Sequence, residues 1–346
     1  MTMGTAVALA CPSCSAPVVA GDLFCEACGH ELPPTGVACP GCGAFQAVDG
    51  YCAACGLRQP APRDHVELAL PGIGVVTDKG HRHHHNEDSF AVAVADGVVL
   101  GVVCDGVSMS TRSDEASQTA VDAALAVLTQ GGADGDLEAA FDAAQAAVLH
   151  VPVEPHPEKG PPSCTFLAGV VTDAAVRLAL LGDCRAYWVG TGGDARQLTE
   201  DESWAAIEVR AGRLTAEEAR GHPLAGTITR WLAVDADPAW RPALVSFTPP
   251  GPGHLLLVSD GLWAYTDEPA DLVAAMGERT DAPLTIAQRL VTHALAGGGH
   301  DNITVLVIVL PLVATEPGAP PAIASAATPP PPSLATAPEP AGDTAP

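Results

Sequence analysis

The side chains in this sequence best suited to chemistry are acidic groups at the ends of short apolar runs. Asp105 and Asp260 each follow an apolar run and precede a glycine, and Asp301 comes just before another run. Glu87 and Asp88 precede a fourth run. Carboxylates that meet at one edge of a sheet repel one another unless cations lie between them. Because all these ligands are oxygens, the pattern predicts a site for Mg²⁺ or Mn²⁺ rather than for zinc.

A second chemical pattern occupies the first 55 residues, which contain eight of the 11 cysteines. It consists of two copies of Cys-x-x-Cys, a gap of nine or ten residues, and Cys-x-x-Cys. Four thiolates at this spacing typically surround one structural zinc ion. Disulfides are the alternative, but the N-terminus lacks the basic leader and apolar core of a secretory signal. We predict two structural Zn²⁺ ions, one bound by Cys11, Cys14, Cys25 and Cys28 and the other by Cys39, Cys42, Cys52 and Cys55.

The cysteine-rich segment resembles a double zinc ribbon, in which metal binding and folding are one event. Ribbons often bind nucleic acid, and such a surface needs clustered Arg and Lys. Here Asp22, Glu26, Glu31 and Asp49 are acidic, and the nearest cation is Arg58. We predict that the ribbons bind protein, with a purely structural role as the alternative.

The elements that must position the carboxylates are read from the apolar patterns. Short Val-rich runs bounded by Gly, Asp or Pro predict strands at 74–77, 90–95, 98–104, 166–171, 175–181, 186–189, 255–258 and 303–310. Helical periodicity predicts helices at 114–129, 137–149, 215–220, 268–276 and 285–295. Runs that are apolar at nearly every position indicate strands buried on both faces. The sequence therefore predicts an α+β fold, a four-layer antiparallel β-sandwich flanked by helix pairs.

Composition divides the chain into four parts. Residues 1–56 are the double zinc ribbon, and 57–67 are a polar, proline-containing linker. Residues 68–312 contain the predicted strands and helices. Residues 313–346 are rich in Ala and Pro with few large apolar groups, which predicts a disordered tail.

Six motifs in the body occur in the order seen in one known family. They are Asn86-Glu87-Asp88-Ser89, Asp105-Gly106, Gly182-Asp183-Cys184-Arg185-Ala186, Gln197-Leu198-Thr199, Ser259-Asp260-Gly261-Leu262-Trp263 and Asp301-Asn302-Ile303-Thr304. The set resembles the metal-dependent PPM-type (type 2C) Ser/Thr protein phosphatases over about residues 74–310. This resemblance implies a two-sheet antiparallel sandwich, in agreement with the apolar patterns. It also implies the hydrolysis of phosphoserine and phosphothreonine in proteins.

The resemblance further implies a role for each acidic residue. Asp105 would bridge two Mn²⁺ or Mg²⁺ ions. The Gly106 carbonyl and Glu87, directly or through water, would complete one ion, and Asp260 and Asp301 would hold the other. A water or hydroxide that bridges the two ions would attack phosphorus in line, without a phospho-enzyme intermediate.

Two more acidic residues and one departure complete the implied site. Asp88 would support the ligand waters through hydrogen bonds, and Asp183 would ligate a third, weaker ion as in bacterial members. The family usually has a phosphate-binding arginine four residues before the motif glutamate. This chain has His83 at that position, next to Arg82. We predict that His83, when protonated, or Arg82 binds the phosphate group.

The charge balance limits the partners of the protein. With 16 basic and 41 acidic residues its net charge is −25 at pH 7, which disfavours binding to nucleic acid or anionic membranes. The longest apolar run, 303–310, is too short to span a bilayer. We predict a cytoplasmic protein that acts on phosphoprotein substrates. From the resemblance alone, we expect a Ser/Thr protein kinase in the same signalling pathway.

Three functions compete at this point. The first is a Mn²⁺- or Mg²⁺-dependent phosphoprotein phosphatase, and the presence of Asp105, Asp260 and Asp301 together favours it. The second is a catalytically weak or inactive phosphatase-like scaffold that binds phosphoproteins, which the histidine at position 83 allows. The third, a zinc-dependent nucleic-acid factor, is disfavoured by the acidic ribbons.

Overall fold

The structure, a computed structural model, describes residues 9–18, 24–32, 38–44, 47–48, 50–266, 268–314 and 321–327. The chain divides into two compact units, Met1–Pro62 and Arg63–Pro346. The first unit contains two short antiparallel hairpins within the cysteine-rich repeats. Strand β1 (Leu9–Ala10) pairs with β2 (Pro17–Val18), and β3 (Ala47–Val48) pairs with β4 (Tyr51–Cys52).

Each Cys-x-x-Cys turn in the first unit ends in a residue with left-handed backbone. Gly29, Gly43 and Gly56 have φ values of 71°, 75° and 73°, and Ser15 has a φ of 58°. Glycine adopts this conformation without steric cost, which explains why three of the four turns use it. The two repeats therefore share one local geometry around their cysteines.

Two six-stranded sheets form the centre of the second unit. The strands of this unit are β5 (His65–Leu70), β6 (Ile73–Asp78), β7 (Ser89–Ala95), β8 (Val98–Cys104), β9 (Ser163–Cys164), β10 (Phe166–Val171), β11 (Val176–Leu181), β12 (Arg185–Gly190), β13 (Ala195–Gln197), β14 (Leu232–Ala233), β15 (Ala243–Phe247), β16 (Gly253–Val258), β17 (Ile303–Leu310) and β18 (Ala322–Ser325). One sheet has the order β15-β11-β10-β8-β7-β18, the other has the order β13-β12-β16-β17-β6-β5, and β9 pairs with β14. Every pairing within the two sheets is antiparallel.

Helices cover the outer faces of both sheets. The helices of this unit are α1 (Ser113–Gly131), α2 (Leu137–Val148), α3 (Trp204–Arg210), α4 (Ala216–Arg220), α5 (Asp260–Trp263), α6 (Pro269–Met276) and α7 (Pro283–Ala296). Helices α1 and α2 pack on the sheet that contains β8, and α6 and α7 pack on the sheet that contains β17. This is the four-layer α+β sandwich that the apolar patterns predict.

Strand β8 shows why the apolar runs are uninterrupted. All seven of its residues are buried. Val99 and Val103 lie in the core between the sheets, with Trp188 and Leu306 of the opposite sheet, whereas Val102 faces helices α1 and α2. Burying one such side chain contributes about 1.5–3 kcal/mol. A polar residue on either face would lose this contribution, so both faces of the strand are apolar.

The predicted strands and helices are all present, with ends shifted by at most two residues. The Asp96-Gly97 hairpin between β7 and β8 has both residues in the left-handed region, with φ values of 49° and 73°. This is the turn geometry that matches the twist of the flanking strands. Asp136 caps α2, because its side chain accepts from the backbone N–H groups of Glu138 and Ala139.

Strand β5 corrects the predicted linker 57–67, because the strand begins at His65. Val66 and Leu68 are buried, whereas His65 and Glu67 are exposed. An edge strand with one solvated face alternates in this way. Within a polar stretch this short alternation does not stand out from a linker.

The tail also departs from the expectation of disorder. Ala322–Ser325 pairs with β7, and Ala324 and Ala326 are buried in the core between the sheets. The prediction of a disordered tail from residue 313 is therefore wrong for this strand, because backbone pairing and small buried side chains hold it without large apolar groups. Residues 315–320 and 328–346 lie outside the described part of the chain.

Candidate active site

The fold brings four of the predicted acidic residues into one cleft. Asp105 follows β8, and Asp260 follows β16. Asp301 precedes β17, whose start lies beside the end of β16 in the antiparallel pair. These residues, together with Asp183 and Gly106, line a cavity of about 520 Å³. Residues from both sheets, about 200 positions apart along the chain, thus share one rim.

Ionised carboxylates are costly in this cleft. Burial raises the pKa of Asp105 and of Asp183 well above the usual range, and the neighbouring acidic charges raise both further. Burial and the charge of Asp301 raise the pKa of Asp260 to about 6. Among the described residues no Lys or Arg pairs with Asp105 or Asp260. A divalent cation would remove this repulsion.

Two carboxyl oxygens at the site are buried and have no hydrogen-bond partner, Oδ1 of Asp88 and Oδ1 of Asp260. Asp88 is fully buried, and its Oδ2 accepts hydrogen bonds from Ser259 Oγ at 2.8 Å and Thr304 Oγ1 at 2.7 Å. A buried acceptor without a partner costs about 1–3 kcal/mol, and more when it is charged. A hard cation or its water ligand would satisfy these oxygens. The residues present therefore fit a divalent-metal site.

A chain of buried hydroxyl groups holds the Asp88 side chain. Thr304 Oγ1 lies 2.7 Å from Thr77 Oγ1, which accepts a hydrogen bond from Asn86 Nδ2 at 2.9 Å. Ser259 Oγ also accepts the backbone N–H of Thr304 at 2.9 Å. Sequence reasoning did not assign these supporting residues. The signal was present for Thr304 and Ser259, since both lie within the motifs.

His83 joins Glu87 to the cleft. Its Nε2 lies 3.1 Å from Asp301 Oδ1, and its Nδ1 lies 3.6 Å from Glu87 Oε2. The hydrogen bond with Glu87 and the charge of Asp301 raise the pKa of His83, although burial opposes them. Burial alone would raise the pKa of Glu87. Hydrogen bonds from His83, Ser113 and Ser108 outweigh burial and lower this pKa below its usual value. The imidazole therefore lies between two predicted metal ligands, and both of these carboxylates favour its protonated form.

Other predicted residues lie further from the cleft. Arg82 is exposed, and within the described residues no hydrogen bond or ion pair involves its side chain. Glu87 does not line the cavity itself. The acidic groups also do not form a tight cluster: in the described part of the chain, only the two cysteine sets have three or more ligand atoms within 4.8 Å of one another.

Glycine is required at two points where backbone segments meet at the site. A Cβ on Gly261 would lie 2.0 Å from the carbonyl oxygen of Asn302, so the glycine allows Asp260 and Asp301 to approach. A Cβ on Gly106 would lie 2.7 Å from the carbonyl oxygen of Glu87. The glycines of the two Asp-Gly motifs therefore serve close packing between ligand-bearing segments.

The eight cysteines of the first unit form two separate sets of four. Sulfur atoms from opposite turns lie 3.6–3.7 Å apart in the pairs Cys11–Cys28, Cys14–Cys25, Cys39–Cys55 and Cys42–Cys52. A tetrahedral zinc ion with Zn–S bonds of about 2.3 Å separates its sulfurs by about 3.8 Å. All eight are free thiols, so the sets fit zinc and not disulfides.

Comparisons with known proteins agree with this architecture. Residues 77–292 match the family model described as protein phosphatase 2C. The chain belongs to the protein phosphatase 2C family. It is 32% identical over 234 residues to the Ser/Thr protein phosphatase PstP of Mycobacterium tuberculosis, a match that covers 67% of this chain and 43% of PstP. It is 30% identical over 243 residues to the Ser/Thr phosphatase stp of Listeria innocua, which covers 67% of this chain and 93% of stp. This chain therefore spans less than half the length of PstP and nearly all of stp.

Solved 2C-family structures have the same fold. The catalytic domain of PstP in complex with two manganese ions superposes with a TM-score of 0.56 at 29% identity, over 68% of this chain and 97% of that chain. The phosphatase MsPP of Mycobacterium smegmatis in complex with cacodylate superposes with a TM-score of 0.57 at 31% identity, over 70% and 99% of the two chains. The predicted phosphatase fold is confirmed. None of the helices in the described parts of this 2C-family member is both long and apolar enough to span a bilayer.

Proposed function

We propose that the second unit hydrolyses phosphoserine and phosphothreonine in proteins with Mn²⁺ or Mg²⁺ bound in the cleft. The observation that carries this proposal is the group of four carboxylates lining one cavity, with raised pKa values and an unpartnered buried oxygen. Membership of the 2C family supports the reaction class, and the two manganese ions of PstP support the choice of metal.

The chain's own oxygens would hold the ions. Asp105 would bridge two of them, with the Gly106 carbonyl on one side and Asp260 and Asp301 on the other. Asp183, which lines the same cavity, would hold a third, weaker ion. When bound, such ions lower the pKa of a water molecule to supply the nucleophile, and they offset charge on the phosphoryl oxygens.

The surrounding residues prepare the site for this chemistry. The hydroxyls of Ser259 and Thr304 fix Oδ2 of Asp88, which leaves Oδ1 to orient ligand water. Glu87 would act through water, because it lies outside the cavity lining. His83, at the position of the family arginine, would donate to phosphate by giving up its contact with Glu87 or Asp301, and Arg82 is the less favoured candidate.

A catalytically weak scaffold that binds phosphoproteins is the second candidate. The observation in its favour is again His83, because an imidazole bound to two carboxylates has less capacity left for phosphate than an arginine. Both candidates take phosphoproteins as ligands. A partner Ser/Thr kinase, a signalling role and a cytoplasmic location are proposals from the family resemblance.

For the first unit, we propose two structural zinc ions and a surface that binds protein. The support is the tetrahedral spacing of both cysteine sets. Basic clusters that would bind nucleic acid do not occur among the described residues of this unit.

The decisive activity assay compares wild type with Asp260→Asn on p-nitrophenyl phosphate and a phosphothreonine peptide, in Mn²⁺ and in EDTA. We expect Mn²⁺-dependent turnover that falls about 100-fold or more in Asp260→Asn, since bound metal contributes several kcal/mol to the transition state. The matched control is Asp134→Asn, which changes an exposed aspartate of the turn Gly132–Asp134 and should retain full activity. Turnover that survives EDTA or the Asp260 change would refute the metal-dependent mechanism. Peptide binding without turnover would favour the scaffold.

A further inference from the structure

A second cavity adjoins the catalytic cleft. It has a volume of about 350 Å³ and lies between helix α2 and the segment 231–241. Phe141 and Leu181, both buried, form part of its lining. Trp231 and Trp240 also line it, with their rings edge to face at 5.6 Å. Trp231 lines the catalytic cleft as well, so one indole is shared by the two cavities.

The rim of this cavity is open to solvent and carries apolar side chains beside the charged side chains of Asp142, Asp237 and Arg241. Leu149 is 48% exposed and Val234 is 56% exposed, and both line it. On the cleft side, Met109 is 65% exposed. Apolar side chains that lie together at the surface gain free energy when a partner covers them. We call the cavity lined by Phe141, Leu149, Leu181, Trp231, Val234 and Trp240 the apolar groove.

The apolar groove also contains one polar atom that needs a partner. Gln145 Nε2 donates a hydrogen bond to the carbonyl oxygen of Ala233 at 2.8 Å, which fixes the orientation of the side-chain amide. Gln145 Oε1 is buried and has no hydrogen-bond partner. An unpartnered carbonyl oxygen at this depth is costly, and a backbone N–H group of an extended peptide that reached it would supply the missing donor.

We propose that the apolar groove binds an apolar side chain of the phosphoprotein substrate, a few residues from the phosphorylated position. The inference rests on the proposed phosphatase function, because the substrate's phosphate must reach the acidic residues of the adjoining cleft. A substrate chain that crosses Trp231 places a neighbouring Leu, Ile or Phe in the groove and one backbone N–H near Gln145 Oε1. Continuity with the cleft favours this occupant over a second copy of the chain or its own tail.

The test uses phosphothreonine peptides in a Gly/Ser background, with one Leu or one Ala at each of the four positions on either side of the phosphothreonine. At one position, Leu should raise kcat/KM about tenfold or more over Ala. Val234→Asp should abolish this advantage. The matched control is Leu244→Asp, on strand β15, which changes an equally exposed apolar residue (55%) that lines neither cavity and should leave the advantage intact.

Two further readouts separate the possible failures. Gln145→Leu keeps the groove apolar but removes the acceptor, so it should lower kcat/KM for peptides more than for p-nitrophenyl phosphate. No Leu advantage in wild type, or an advantage that survives Val234→Asp, overturns the proposal. So does a Val234→Asp variant that only converts a dimer to a monomer.

If no substrate is hydrolysed, the phosphatase function fails instead. Fluorescence anisotropy of the same peptides, labelled, then tests the groove by binding alone. Tighter binding of the Leu peptide that Val234→Asp removes supports the proposal, and equal binding of the Leu and Ala peptides overturns it.

Discussion

The hydroxyl of Thr304 is predicted to hold the second unit and its acidic site together. It donates to Asp88 Oδ2 at 2.7 Å and lies 2.7 Å from Thr77 Oγ1, at a fully buried position. Because the Thr304 proton points to Asp88, the Thr77 hydroxyl donates to Thr304. Thr304→Val keeps nearly the same volume but removes the bond to Asp88 and leaves the Thr77 proton without an acceptor.

The size of the effect follows from these two bonds. A hydrogen bond to a charged group contributes about 1.5–3 kcal/mol and a neutral one about 0.5–1.5 kcal/mol. We therefore expect Thr304→Val to lower the free energy of unfolding by about 2–4.5 kcal/mol. Thr304→Ser retains the hydroxyl and loses only one methyl group, so it should lower the free energy by about 1 kcal/mol. The Ser variant is the matched control for the hydrogen bonds.

Urea unfolding followed by tryptophan fluorescence measures this difference. All five tryptophans lie between residues 188 and 263, so the signal reports on the second unit alone. The experiment is done at pH 8, where Asp88, whose pKa burial raises to about 7, is mostly ionised. Calorimetric titration with Mn²⁺ should also show weaker binding to Thr304→Val than to Thr304→Ser. If the two variants unfold within about 0.5 kcal/mol of each other and bind Mn²⁺ equally, the hydroxyl network does not support the site.

Three further predictions concern other parts of the chain. Gly261→Ala should abolish Mn²⁺ binding or prevent folding, because the new Cβ would lie 2.0 Å from Asn302 O, whereas Gly251→Ala, which has open space around its Cβ, should behave as wild type in the same titration. Burial and the nearby charge of Arg279 lower the pKa of His254. The neutral form of this histidine is therefore favoured in the folded state, and its contribution to stability is complete above pH ~6.5 and lost as the pH falls below that value. The difference in unfolding midpoint between wild type and His254→Gln should accordingly shift in favour of the variant between pH 7.5 and pH 5, and a constant difference would contradict the assignment. Elemental analysis should find two zinc ions per chain in wild type and one in Cys25→Ser, and equal zinc contents would contradict the two-set arrangement.

The interior of the sandwich could be predicted because strands buried on two faces have continuous apolar runs in the sequence. The runs at β8, β10 and β17 match their predicted bounds, since every residue in them except the half-buried Val309 is buried, and an unpaired charge at a buried position is costly. Edge strands lack such continuous apolar runs. Strand β15 exposes much of its length, and the one large residue of β18, Ile323, is exposed, so neither strand differs from a loop in local pattern.

The acidic residues of the cleft were identifiable because each stands at the end of such a run and within a motif. The residues whose hydroxyl groups hold Asp88 in place were not identifiable in this way. Thr77 and Thr304 are 227 residues apart, and only the pairing of β6 with β17 brings their hydroxyls together. In the same way, the His83 bridge depends on how the loop before β7 meets Asp301, a contact that no local spacing encodes. Local spacing also does not fix the side chain of Arg82, which was predicted as the alternative phosphate-binding residue and is exposed.

The central claim is that Asp105, Asp260 and Asp301 together bind hard divalent cations. The most direct test is anomalous scattering at the manganese edge from crystals grown with MnCl₂. We expect manganese peaks in the cleft within about 2.5 Å of carboxylate oxygens of Asp105, with Asp260 and Asp301 on the same ion. A cleft without manganese at saturating concentration, or manganese bound only by residues elsewhere, would contradict the account.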